Sequence, residues 1–343
     1  MLTTEKRIKA LIDLGQLLLE YSTINEAAST QFDLLVKTQH TYNSWLIEPF
    51  VLKAAKQWGM RLSSNSLHEL ISRYPALKKN RTVMNVVVIS EENIPFAGMQ
   101  DLIMVLLAGH HFFAKNADHR NNLLQFITDL LISIESEFSE YIHWNNVPKE
   151  ADAYLVHARP ENEATFASYF GTRNSLIRGK RISVGIVSPD DNAAVFKQFG
   201  EDIFTFWGLS PFCVRKIFIP AKFPFNLFFE SIDEFAYLYQ HNRYANNYDY
   251  HKSVFMMDRI PFYDNGFLIL RESSELHVPP GCLYYEFYDT IDDVISKTKT
   301  SASEIQQVIT NLSEFSMAVK PGDAHNYKLW EYADHKDTLG FLL

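Results

Sequence analysis

The chain has 343 residues, of which 47% are hydrophobic and 14% aromatic, so it can bury the cores of two domains and is not disordered. Its net charge of -9 argues against a nucleic-acid surface, which needs clustered Lys and Arg to displace counterions. Cys213 and Cys282 are too few for a disulfide framework or a CxxC-type metal site, and no HExxH spacing occurs among the histidines.

In chain order, residues 4 to about 75 read as helices. Ile8, Leu11, Ile12, Leu18 and Leu19 repeat at helical spacing behind Thr3 or Thr4 as an N-cap. Charges interleave this opening, so it reads as an amphipathic helix and not as a signal peptide. The pattern then changes. Val83–Ile89 is rich in β-branched residues, as a buried parallel strand requires. The loop SEENIPFAG leads into an apolar helix, Met99–Gly109. Its run Leu102–Ala108 is the longest in the chain and falls far short of the roughly 20 residues of a membrane span. A strand at His111–Lys115, a helix at Asn121–Ile134, a strand at Ala153–His157, a helix at Asn162–Phe170 and a strand at Val184–Val187 follow.

Ser188–Asn192 is a polar break, where a domain boundary is expected. Beyond it come a helix at Ala193–Trp207, a strand at Val214–Ile219, a helix near Ser231–Tyr239 and strands at Phe267–Leu270 and Leu283–Tyr288. A helix near Ser303–Leu312 and a loop-rich ending complete the chain. Strand alternating with helix implies doubly wound sheets, with a ligand at the carboxyl ends of the strands.

The most telling stretch is GEDIFTFWGLSPFCVRKIFIP, Gly200–Pro220: a helix, a tight turn and a buried strand. It resembles the fatty acyl-CoA reductases of the bacterial luminescence type (LuxC-like), a branch of the aldehyde dehydrogenase superfamily. QHTYNSW (Gln39–Trp45), IRGKRISV (Ile177–Val184), HNRYANNYDYHKSVFMMDRIPFYDNGFL (His241–Leu268) and the ending Leu329–Asp334 with Asp337–Leu339 resemble the same family. The His241–Leu268 stretch reads either as lining the cleft or a subunit contact, or as a hydrogen-bonded structural crossover.

The resemblance spans about residue 5 to 343 and implies an aldehyde-dehydrogenase-like α/β fold: two doubly wound domains with a helical N-terminal lead-in. Residues 1–190 would carry the lead-in and the dinucleotide-binding-type domain, and 191–343 the catalytic-type domain, with the cleft between them. The implied chemistry is reduction of a fatty acyl thioester to the aldehyde with NADPH through an enzyme-bound thioester. The family's reactive cysteine falls on Pro211 here, and the nearest thiol, Cys213, lies two residues on. Residues two apart on a strand are about 6.5 Å apart. Cys213 reads either as a relocated nucleophile or as a buried structural cysteine. Ser210 is a weaker substitute, with no activating base visible.

Asn93 matches the amide that holds the thioester oxygen, preceded here by Glu91 and Glu92. Lys115 matches the lysine that contacts the cofactor's ribose or its phosphate. The family's Thr-Gly-Ser phosphate turn is His157-Ala158-Arg159-Pro160 here, where Arg159 could replace lost backbone donors electrostatically and Pro160 has no N–H. Two functions follow: an NADPH-dependent acyl-CoA reductase using Cys213, or a catalytically degenerate relative (a pseudoenzyme) that binds an active paralogue or an acyl-transferring enzyme. Acyl-CoA or another acyl thioester is the expected small-molecule partner, and a homo-oligomer is a further option. The expected location is the cytoplasm, with no membrane span and no metal.

Overall fold

The structure is a computed structural model that describes all residues except 1, 23–30, 80, 91–92, 116–121, 159 and 180, and, beyond these, the side chains of 160 and 161. Chain contacts divide it into two units. The first is Met1–Gly179 with Lys328–Leu343, and the second is Lys180–Tyr327. Residues 328–343, which a single break near 190 would assign to the second half, thus lie in the first unit, and 180–190 lie in the second.

The first unit opens with α1 (Thr4–Ser22), α2 (Gln31–Tyr42), α3 (Glu48–Arg61) and α4 (Ser64–Arg73). Helices α1 and α3 approach closely because Gly15 and Gly59 face each other's helices. A Cβ built on Gly15 would lie 2.7 Å from the Leu62 Cβ, and one on Gly59 2.7 Å from the Leu19 Cγ. Then follow β1 (Asn85–Ile89), α5 (Met99–Ala108), β2 (His111–Ala114), α6 (Leu123–Ile134), β3 (Ile142–Trp144), β4 (Ala153–His157), α7 (Pro160–Phe170) and β5 (Ser175–Arg178). The five strands form one parallel sheet in the order β3-β2-β1-β4-β5. The Val86–Val88 run is buried in β1, as a strand covered on both faces requires. Strands β3 and β5 carry too little apolar sequence to stand out alone; they form by extending the sheet on either side.

Helix α5 is buried along its whole apolar sequence, yet it carries Asp101, which has no solvent exposure. One carboxylate oxygen of Asp101 meets Arg178 Nη2 of β5 at 2.5 Å. Arg178 Nη1 donates to Thr338 Oγ1 at 3.0 Å, in the short closing helix Thr338–Leu342. Nearby, the Gly179 N–H donates to Asp334 at 2.7 Å. One buried ion pair therefore ties α5, β5 and the closing residues together.

The second unit contains β6 (Ile182–Ile186), α8 (Ala193–Phe204), β7 (Val214–Pro220), α9 (Phe225–Ser231), α10 (Asn242–Met257), β8 (Tyr263–Asp264), β9 (Ile269–Glu272), β10 (Cys282–Tyr288), α11 (Ile291–Thr300) and β11 (Ile305–Ile309). Its sheet runs β11-β6-β7-β10-β9-β8, parallel except for the β8–β9 pair. The helix expected at Ser303–Leu312 is a strand. Ile305 and Ile309 share helical spacing, but the β-branched segment completes the open edge of β6, and Thr310 Oγ1 donates to the Ile186 carbonyl at 2.7 Å. The helix lies earlier, at α11, where Thr290 caps the Asp293 N–H. The region near Ser231–Tyr239 is the end of α9 followed by a 3₁₀ segment, Asp233–Gln240. The His241–Leu268 stretch opens as α10, which buries Tyr244, Tyr248 and Phe255.

Asp101→Asn should destabilise the first unit by about 3–5 kcal/mol, because it leaves the Arg178 cation buried without its charge partner. Removing the exposed Lys197–Glu234 pair, 2.9 Å apart, should cost under about 1 kcal/mol. Urea unfolding of both variants checks this. Burial alone would push the Asp101 carboxyl up, but Arg178 and then His157 hold it well below the usual carboxylate range. A depressed carboxyl stabilises the fold above its unfolded value of about 4 and loses that contribution as pH falls. The wild-type unfolding midpoint should therefore drop below about pH 4 more steeply than that of Asp101→Asn.

Candidate functional site

In the first unit, β1 leads outward through α5, β2 and α6 to β3, while β4 leads the other way to β5. The carboxyl ends of β1 and β4 thus flank the point where strand order reverses, which is where open α/β sheets receive ligands. A cavity of about 290 Å³ opens along this edge. It is walled by Val87, Val88 and Ile89 of β1, Ala114 of β2, Trp144 of β3 and Leu124 of α6, and its polar members are Ser90, Lys115 and Asn122. Trp144 is held in place by an indole N–H donated to Thr128 at 2.9 Å, and Asn122 caps α6 through the Leu124 and Gln125 amides.

Lys115, expected at the cofactor, immediately follows β2, is exposed and lines this cavity. Asn93 is half-buried in the turn between β1 and α5. Glu91, Glu92 and Arg159 lie outside the described residues.

The segment aligned with the phosphate turn begins with a histidine already engaged. His157 Nε2 lies 2.8 Å from Asp101 Oδ2, on the carboxylate whose other oxygen takes Arg178. The turn has no glycine, and α7 begins at Pro160, which offers no N–H. Nothing in the sequence signalled the partnership, because Asp101 sits inside an apolar helix 56 residues away.

The bend at Gly200–Pro220 belongs to the second unit. Helix α8 was expected to reach Trp207 but ends at Phe204, because Phe206, Trp207 and Gly208 are all left-handed, with φ of 52°, 61° and 69°. A right-handed helix cannot continue through such residues. Three residues of the following turn, Ser210, Pro211 and Phe212, are held by specific contacts. Ser210 Oγ accepts the Phe212 N–H, the Pro211 carbonyl accepts from Ser183 Oγ at 3.0 Å, and Phe212 stacks on Tyr327 with ring centroids 3.9 Å apart.

Cys213 has no solvent exposure. Its thiol donates to the Thr205 carbonyl at 3.1 Å and lies 3.6 Å from His325 Nε2. His325 is also buried and packs edge-on against Phe206. A Cys–His contact is the arrangement in which an imidazole can take a thiol proton. It joins residues 112 apart, so it was not legible in the sequence. Cys282 is buried as well, and burial pushes its thiol up to about 12. No group of three or more metal-ligating side chains occurs among the described residues, and no helix is long and apolar enough to cross a membrane.

No protein-family model and no curated protein sequence matches the chain. Solved structures do. An indole-3-acetaldehyde dehydrogenase from P. syringae, in complex with NAD+ and IAA, is similar with a TM-score of 0.60 at 12% identity, over 92% of this chain and 74% of that one. A betaine aldehyde dehydrogenase from Staphylococcus aureus, in complex with NAD+, gives 0.62 at 10% identity, over 92% and 72%. Proline utilization A from Bradyrhizobium japonicum gives 0.62 at 13% identity, over 90% of this chain and 36% of that one. The chain therefore has an aldehyde-dehydrogenase-like fold.

Proposed function

We propose that this protein is a non-reducing relative of the fatty acyl-CoA reductases, which binds the adenosine end of a nicotinamide cofactor but forms no acyl-enzyme. One observation carries the reading: the chain has two thiols, and both are buried. An acyl thioester delivered from solvent meets neither sulfur while the Phe206–Phe212 turn is closed. The position that aligns with the family's cysteine is Pro211, which has no nucleophile.

The fit of a nicotinamide cofactor is partial. The cavity beside Lys115 and Trp144 has the apolar walls and few polar groups of a small-molecule site, and at about 290 Å³ it suits a nucleoside better than a whole dinucleotide. The turn after β4 has no glycine for close backbone approach, and Pro160, where α7 begins, offers no amide donor. A nicotinamide, when bound, would supply hydride. What these residues offer is a seat for the other end of the molecule. Two of the similar dehydrogenases hold NAD+, which supports that choice of ligand.

A second reading has its own observation. His325 beside Cys213 is a ready proton acceptor, so a turn that opens would make Cys213 a nucleophile for an acyl thioester. In either reading the acyl partner is a fatty acyl thioester, and an acyl-transferring enzyme or an active paralogue is the protein partner we propose.

Native protein should show no rapidly reacting thiol with an aromatic disulfide reagent, and two after denaturation. Radiolabelled acyl-CoA should leave no hydroxylamine-sensitive label. A stoichiometric label that disappears in Cys213→Ala would replace the first reading with the second. Calorimetry with adenosine and ADP should show binding that Trp144→Ala weakens about tenfold, the order expected for loss of one stacked aromatic wall. Titrations that give no heat with either ligand, backed by equilibrium dialysis, would remove the nucleotide-binding reading.

A further inference from the structure

A second cluster of the first unit lies on the sheet face that Trp144 does not share. Side chains alternate along a strand, so His111 and Phe113 of β2 and His143 of β3 lie on one face, and Phe112, Ala114 and Trp144 on the other. Strand β3 is the outermost of this sheet, and its His143 is in register with Phe113. Tyr141, just before β3, completes a row of four rings. His111 stacks on Tyr141, with ring centroids 5.2 Å apart and planes within 17°. His143 stacks on Phe113 at 4.5 Å and 21°. Each imidazole is thus clamped against an aromatic neighbour, and both are half-buried, so solvent reaches them in part.

Between the rings, His111 Nδ1 lies 3.1 Å from His143 Nε2. Two N–H groups cannot face each other at that distance, so at least one nitrogen presents a lone pair. The His143 ring also bonds the Glu140 carbonyl, three residues back. An imidazole that gives one N–H to a backbone carbonyl holds its other nitrogen unprotonated, and this is the usual support of a metal-ligating histidine. The spacing fits a metal as well. Imidazole nitrogens sit about 2.0–2.1 Å from a divalent ion such as Zn2+. Two of them at roughly 90–110° around one ion are then about 2.9–3.4 Å apart. The observed separation falls inside that range. The two nitrogens therefore need not separate to take one ion, and a tilt of the rings turns both lone pairs on it.

We propose that His111 and His143 form a two-imidazole site for a divalent transition-metal ion. No third His, Cys, Asp or Glu joins the pair among the described residues, so water fills the remaining positions. The donor set selects the class of ion. Imidazole suits Cu2+, Ni2+ and Zn2+, whereas Ca2+ and Mg2+ require oxygen. Within the first group, Cu2+ binds a given nitrogen site most tightly. Two protein ligands are half the set of a closed structural site, which places the affinity in the micromolar range and leaves positions open to a further ligand. No net proton is lost on binding. The proton now between the two nitrogens exchanges through water to the far nitrogen of the same ring, so both imidazoles stay neutral. The ion lies on the face away from Trp144, and the site is independent of the nucleotide reading.

The test uses untagged protein freed of metal with a chelator. Calorimetry should show one Cu2+ bound per chain, more tightly than Ni2+ or Zn2+. The electron paramagnetic resonance spectrum of that complex should show two coordinated imidazole nitrogens. His111→Phe and His143→Phe each keep an aromatic ring in the row and remove one ligand. Each should weaken Cu2+ binding at least tenfold, since loss of a mere supporting partner already costs about that much, and should leave a spectrum with at most one imidazole. Circular dichroism and urea unfolding without metal check that the variants are folded, and a glutamine variant replaces any phenylalanine variant that is not. Failure of the wild type to bind Cu2+ at micromolar concentration, a wild-type spectrum without two imidazole nitrogens, or an affinity unchanged in either variant would overturn the site.

Discussion

A carboxylate inside an apolar helix is the constraint on which the first unit depends. Asp101 is surrounded by Leu, Ile, Met and Val of α5, where an isolated charge would cost many kcal/mol. It is tolerated because Arg178 neutralises it and His157 completes its hydrogen bonding. The arrangement also restricts the chain. Arg178 must end β5, His157 must end β4, and Thr338 must return from the far end of the sequence to take the second guanidinium nitrogen. A leucine at position 101 would demand none of these. Buried ion pairs contribute little net stability but penalise alternative arrangements heavily once one partner is fixed. Here the penalty falls on register and on the docking of residues 328–343, and it leaves an oriented imidazole at the carboxyl edge of the sheet.

Elements whose formation depends on local sequence were legible. Val86–Val88, the apolar run of α5 and the Ala153–His157 strand announce themselves through continuous hydrophobic or β-branched residues. Elements that exist because a neighbour offers hydrogen bonds were not. β3 has three residues and β5 has four, and both owe their conformation to the adjoining strand. β11 carries a pattern that fits a helix equally well, and the vacant edge of β6 decides the outcome. The site divides the same way. Lys115 follows a recognisable strand and does line the cavity. The partners of His157 and of Cys213 come from distant segments, and no spacing rule links them.

The second unit meets a similar problem with backbone strain. Phe206 and Trp207 are bulky residues in left-handed conformation, at a cost of about 1–2 kcal/mol each. Both are nearly fully buried, and Trp207 lies on His241 with ring centroids 4.2 Å apart. Burial of each aromatic contributes about 1.5–3 kcal/mol, enough to offset the strain. Arg215 then donates to the carbonyls of Gly208 and Val278, which ties the bend to the core. The turn is therefore held by packing on its own residues, and the Cys213 sulfur lies behind it.

Strain of this kind persists where the surroundings over-determine it, and it is most often found at functional sites. The position that the resemblance aligns with a reactive cysteine is Pro211. The bend supplies packing to the second unit. Phe206 meets His325, Trp207 meets His241 and Tyr244, and Phe212 meets Tyr327. Residues that build the core in this way are required by packing whatever chemistry the unit performs, so the fold by itself carries no implication about turnover.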